Sequence, residues 1–71
     1  MKVEIHGNVR GTPEVRKIWE GELSALPRPD DYIVLDEDKA ALSVRNVMII
    51  APTNKAIINV WAPENEYPAI D

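Results

Sequence analysis

The chain has no cysteine, which removes disulfides and thiolate metal sites together. It leaves the redox compartment open but suits a cytoplasmic protein. There is one histidine, so a zinc centre built mainly from imidazoles would need a second chain. Long apolar runs are missing as well: the longest, Val47–Ala51, is far too short to span a bilayer. The opening residues, MKVEIHGNV, carry neither an extended apolar stretch nor a small-residue cleavage site. A soluble, cytoplasmic protein with no membrane contact is the expectation. Glycine-rich phosphate loops, Ser–His–Asp sets and Cys–His pairs are also lacking. The net charge of −4 argues against a nonspecific nucleic-acid binder, because phosphate neutralisation supplies most of that affinity.

What remains is 71 residues, enough for one domain with a marginal core. Hydrophobic residues make up 45% and charged residues 28%, a globular balance rather than a disordered one. Without disulfides or metal, stability must come from packing or self-association. The segment Lys2–Val9 opens with strict alternation, Val3 and Ile5 against Lys2, Glu4 and His6, the period of a half-buried strand. Gly7, Asn8 and Gly11 suggest the positive φ angles of a turn or bulge. Leu26–Asp31, with Pro27 and Pro29, reads as a turn. Tyr32–Leu35 is a β-prone run apolar on both faces, expected to be buried on both. Val44–Ile50 and Ala56–Trp61 form a hairpin through Pro52-Thr53-Asn54-Lys55, with Asn54 as its left-handed residue. The domain is expected to occupy residues 1–62, followed by an extended, acidic tail over 63–71.

Thr12–Tyr32 reads two ways. As a helix over 13–26, it has Thr12 as N-cap, Pro13 at the first position, and Val15, Ile18, Trp19, Leu23 and Leu26 on one face. As a strand, Val15, Trp19 and Leu23 share one face while Arg16, Glu20 and Glu22 share the other. Ile18 is then the single exception, and Gly21 marks a bulge rather than a helix-weakening residue.

The order Trp19, Gly21, Leu23, Leu26, Pro27, Arg28, Asp31, Ile33, Leu35, then Val44 and Val47, then Ile58 and Val60 resembles a group of small uncharacterised proteins from prokaryotes and their viruses. In that group the Pro-Arg step commonly precedes Gly-Asp, and Asp30 stands here where the glycine would. The likeness covers roughly residues 15 to 62 as a pattern. It implies a five-stranded barrel and no assigned activity, and it favours the strand reading of Val15–Leu23. An accessory role in a virus or mobile element follows from the resemblance alone.

The fold expectation is therefore all-β, a small five-stranded SH3-like barrel or meander, with α+β as the alternative. The function expectation is a non-enzymatic protein-interaction or structural module, binding a protein partner or itself as a homodimer or higher oligomer. Trp61, Ile57, Trp19 and Tyr32 are its candidate contact residues. Strand addition at an exposed edge would be another route. The alternative is a small nucleic-acid-binding barrel using Arg16, Lys17, Arg28 and Arg45, with Arg10 also available and Trp19, Tyr32 and Trp61 as stacking platforms. No cofactor or metal is expected. Asp30, Asp31, Asp36, Glu37 and Asp38 lack the order of a calcium loop and read as solvated turns. His6 would need a carboxylate brought to it by the fold before it could do acid–base work.

Overall fold

Val3, Ile5, Ala56, Ile58 and Val60 are fully shielded from solvent, and they lie on two strands that run side by side in the same direction. In the computed structural model, which describes residues 1–63 and 66–70, the strands are β1 (Lys2–Asn8), β2 (Val15–Glu22), β3 (Tyr32–Ile33), β4 (Leu42–Ile50) and β5 (Lys55–Trp61). They form one sheet in the order β2-β1-β5-β4-β3, curled into a half-barrel. The all-β expectation holds, and Val15–Glu22 is a strand, not a helix.

The order follows from an up-and-down chain. Sequential strands β1/β2, β3/β4 and β4/β5 pair antiparallel. After five alternating passes the last strand points the same way as the first, so β1 and β5 close the sheet in parallel. The sequential pair that does not form is β2 with β3, and this leaves a seam. The tail crosses it. Tyr67 is buried, its ring lies under the Lys39 ammonium and its hydroxyl reaches the Ala40 carbonyl at 3.5 Å. Ile70 then donates its N–H to the Lys17 carbonyl on β2 at 2.8 Å. The segment expected to be an extended acidic tail thus supplies a core residue, Tyr67.

Two bulges set the side-chain directions. On β2, Trp19 faces Ile5 and Lys17 faces His6, so Ile18 is the extra residue. A bulge lets neighbouring side chains share a face. Ile18 is buried in the core and Trp19 packs against it, which accounts for the one break in the β2 alternation. Gly21 is not the bulge; it leaves room for the indole, whose Cη2 would lie 2.6 Å from an added Cβ. Gly7 likewise does not supply a turn. It sits inside β1, where an added Cβ would come within 2.9 Å of the Ala62 Cβ. On β4, Val44 faces Val60 and Asn46 faces Asn59, so Arg45 is the extra residue there.

The loops use the expected chemistry with some corrections. Thr12 caps no helix. Its hydroxyl donates to the Val9 carbonyl at 3.0 Å and accepts from the Glu14 N–H at 3.3 Å, ordering the β1–β2 loop, in which Gly11 has φ 83°. Asn54 is left-handed, φ 51°, after a 3-10 turn over Ala51–Thr53. The Tyr32–Leu35 run pairs only through Tyr32 and Ile33, and Tyr32 and Val34 are exposed rather than buried. The Asp36 turn, with Asp38 and Lys39 N–H groups on its side-chain and main-chain oxygens, draws the chain away directly afterwards.

Asp30 also has a left-handed backbone, φ 73°. That region costs a residue with a Cβ roughly 1–2 kcal/mol, less for Asp than for most, and glycine nothing. Asp30→Gly is expected to raise the unfolding free energy by about 0.5–1 kcal/mol, after glycine's greater unfolded-state entropy is subtracted. Urea denaturation of the two proteins at equal concentration checks this. The Asp30 N–H bond to the Val44 carbonyl, 2.9 Å, should survive.

Candidate functional site

The outward face of β5 carries Lys55, Ile57, Asn59 and Trp61, each half-buried. In the parallel register Trp61 lies beside Asn8 of β1. The β4 bulge turns Arg45 onto this same face. Its guanidinium carbon stands 4.1 Å from the centre of the Trp61 ring, and that of Arg10, from the β1–β2 loop, stands 4.5 Å from it. Guanidinium groups at that range are held by the ring quadrupole.

Asn8 ties the arrangement together. It is buried, with 5% of its surface exposed. Its amide nitrogen donates to the Glu14 carbonyl at 2.6 Å and the Thr12 carbonyl at 3.3 Å, fixing the loop that carries Arg10. Its oxygen accepts from Arg45 Nη1 at 2.7 Å. One side chain therefore positions both arginines, and both of its polar atoms have partners.

Next to the arginines a groove of about 420 Å³ is lined by Val9, Tyr32, Leu42, Trp61, Ala62 and Pro63, with Arg10 and Glu66 also on its wall. Tyr32 is 73% exposed. Of the candidate contact residues, the structure brings together Trp61 and Tyr32. It places Trp19 against the core. Ile57 lies on the outer face of β5, between Glu4 of β1 and Met48 of β4.

The candidate cations do not form a basic track. Arg45 joins Trp61, as above. Arg16 sits on β2 opposite Gly7. Lys17 pairs with Glu20 at 3.1 Å. Arg28 lies in the exposed turn before Asp31, its N–H bonded to the Asp31 carboxylate at 2.8 Å. Among the described residues the salt bridges involve His6, Lys17 and Lys55, and neither Arg10 nor Arg45 pairs with a carboxylate. Asn8 was not singled out as a site residue by the sequence; an asparagine after a glycine reads as turn chemistry. Arg10 gave no signal beyond its charge.

A second polar group lies further along the outer face. The Glu4 carboxylate accepts from Lys55 Nζ at 2.9 Å and meets His6 Nε2 at 3.0 Å. The carboxylate His6 requires is thus two residues away on the same strand, though neither lines the groove. The Lys55 hydrogen bond, then that of His6, outweigh desolvation and hold the Glu4 carboxyl at about 2, below its ordinary 4.5. A depressed carboxyl contributes stability that is complete above 4.5 and disappears as pH falls towards 2. Glu4→Gln is therefore expected to flatten that stretch of the stability–pH curve. Urea midpoints taken at successive pH values down to 2 would show it.

Among the described residues no three His, Asp or Glu side chains come together as a metal site, and no helix is long and apolar enough to cross a membrane.

No family model, curated protein or solved structure matches this chain.

Proposed function

We propose that the protein is a non-catalytic interaction module that associates with a second copy of itself through the open edge of β4. One observation carries this reading. The pairing of β3 with β4 covers only Leu42 and Ser43, extended to Val44 by main-chain bonds with Asp30 and Asp31. Beyond the Arg45 bulge, Asn46–Ile50 pairs with β5 on one side, and among the described residues no strand pairs with it on the other. Alternate residues there present N–H and C=O groups to that free side.

Edges of this kind are usually blunted by lysine, proline or a covering loop. Asn46–Ile50 has no charge and no proline, and Met48 and Ile49 are each 50% exposed. A neutral apolar strand is complemented by another like it. An antiparallel β4–β4 pairing about a two-fold axis satisfies both free edges with a single surface. It also keeps the acidic turns at Asp30–Asp31 and Asp36–Asp38 out of the pairing strand. The small core gives association a thermodynamic role as well, since a partner that binds only the folded chain stabilises it.

Sedimentation velocity at micromolar concentration should give a dimer. Ile49→Lys should weaken it at least about tenfold by placing a charge on the edge. Trp61→Ala, remote from that edge, should leave the dimer intact. A wild-type monomer across the concentration range would refute the reading.

A further inference from the structure

We infer that the Trp61–Tyr32 groove binds an extended acidic peptide segment of a partner protein. Its apolar or proline residues lie between the two rings, and a carboxylate engages Arg10 on the groove wall, with Arg45 on the same indole adding to the positive field.

Charge is the first argument. The chain has 12 acidic side chains and 8 Lys and Arg, so an arginine near an acid is the easy outcome. Instead two guanidinium groups stand over one indole, 4.5 and 4.1 Å from its centre, and neither has a carboxylate partner among the described residues. Bringing like charges together is unfavourable. The cluster persists because the ring quadrupole attracts both groups and because Asn8 fixes Arg45 directly and Arg10 through its loop. It is a preorganised positive site, and guanidinium groups suit carboxylates through paired, charge-assisted hydrogen bonds.

Shape is the second argument. The adjoining groove is mostly apolar, carries an exposed tyrosine and a half-buried tryptophan, and has the volume of an ordinary ligand cleft. Aromatic-walled grooves accept extended and proline-containing segments at low entropic cost.

The same wall argues against a nucleic-acid strand. Glu66 lines the groove, and Asp30 and Asp31 directly precede Tyr32. A phosphate at every step would run past these acids, whereas a peptide can confine its negative charge to the arginine end. Arg16, Lys17 and Arg28 do not extend the positive site into a track.

The test uses two pools of acetylated pentapeptide amides. In one, aliphatic or proline residues precede two glutamates; in the other, glutamines replace the glutamates. Oligothymidylate is the third probe. Amide and indole spectra of the whole chain report binding, read at the Trp61 indole and the Tyr32 amide, with the Trp19 indole as internal control. The glutamate pool should move the Trp61 and Tyr32 signals saturably and leave Trp19 in place. Replacing glutamate by glutamine should weaken the response about tenfold, and so should Arg10→Gln, whose spectrum otherwise matches the parent. No response to the glutamate pool, or an equal response to the glutamine pool, overturns the inference. A response to oligothymidylate alone overturns it in favour of a nucleic-acid strand. Repeating the titration in the Ile49→Lys variant separates this result from self-association, because the groove should bind equally well in both.

Discussion

Ile58→Ala is expected to lower the unfolding free energy by about 2–5 kcal/mol. Ile58 is fully buried at the centre of β5, facing Ile5 on one side and Val47 on the other. Removing its side chain takes away transfer free energy and leaves a cavity under the strand that joins the two halves of the sheet. A chain of 71 residues has roughly 4–10 kcal/mol of total stability at typical per-residue values. The substitution therefore consumes a large share of it. Equilibrium urea unfolding, with the wild type at the same protein concentration, should show the midpoint fall with little change in slope. By contrast, Ile49→Ala on the exposed edge should cost well under 1 kcal/mol in the monomer. A comparable loss at both positions would mean that β5 is not the centre of the core.

Asn8→Ala should cost about 2–3 kcal/mol, a large effect for one small polar side chain. The variant loses two donated bonds to loop carbonyls and the acceptor for Arg45 Nη1. The Thr12 and Glu14 carbonyls and the guanidinium must then find water, in a place where Asn8 itself is 5% exposed. A further readout separates this role from plain packing. With Arg45 released from its anchor and the Arg10 loop loosened, the Trp61 ring loses cations held at 4.1 and 4.5 Å, and its emission should shift. Asn8→Asp keeps an oxygen for Arg45 but turns the donor into a second acceptor facing two carbonyl oxygens. It should therefore retain the Arg45 contact while destabilising the loop. An unchanged melting curve for Asn8→Ala would refute the keystone role given to this residue.

The strands of this fold were largely readable because their periodicity is local. Val3 and Ile5 against Glu4 and His6 in β1 give direction without knowledge of the partner strand; the faces expected for β2 do not hold, because the Ile18 bulge puts Arg16 on the side of Trp19 and Val15 on the side of Lys17 and Glu20. Asn54 was readable because a left-handed hairpin residue is a local requirement. The β2 reading also contained its own correction. Ile18, the residue out of step, is the one the bulge inserts.

What was not readable depends on distant parts of the chain. Tyr32–Leu35 has the composition of a buried strand, yet burial needs a neighbour on each side, and the seam beside β3 provides none. The Arg45 bulge leaves no mark in VRNV, because arginine and asparagine both look like surface residues whichever way they point. The meeting of Trp61 with Tyr32, Arg10 and Arg45 is made by β1–β5 closure and by a loop fixed through Asn8. Composition could nominate these residues individually, but the proximity of two arginines to one indole is a property of the register.

The parallel union of the first and last strands has a consequence for how the protein is made. During translation, β1 and β2 emerge as a lone two-stranded ribbon, and such ribbons are marginal in water. Val3 and Ile5 cannot leave solvent until Ala56, Ile58 and Val60 have been synthesised. The nascent polypeptide thus carries this part of its future interior uncovered from the appearance of β1 until β5 follows it, and commitment to the native state comes only after β5 has been added.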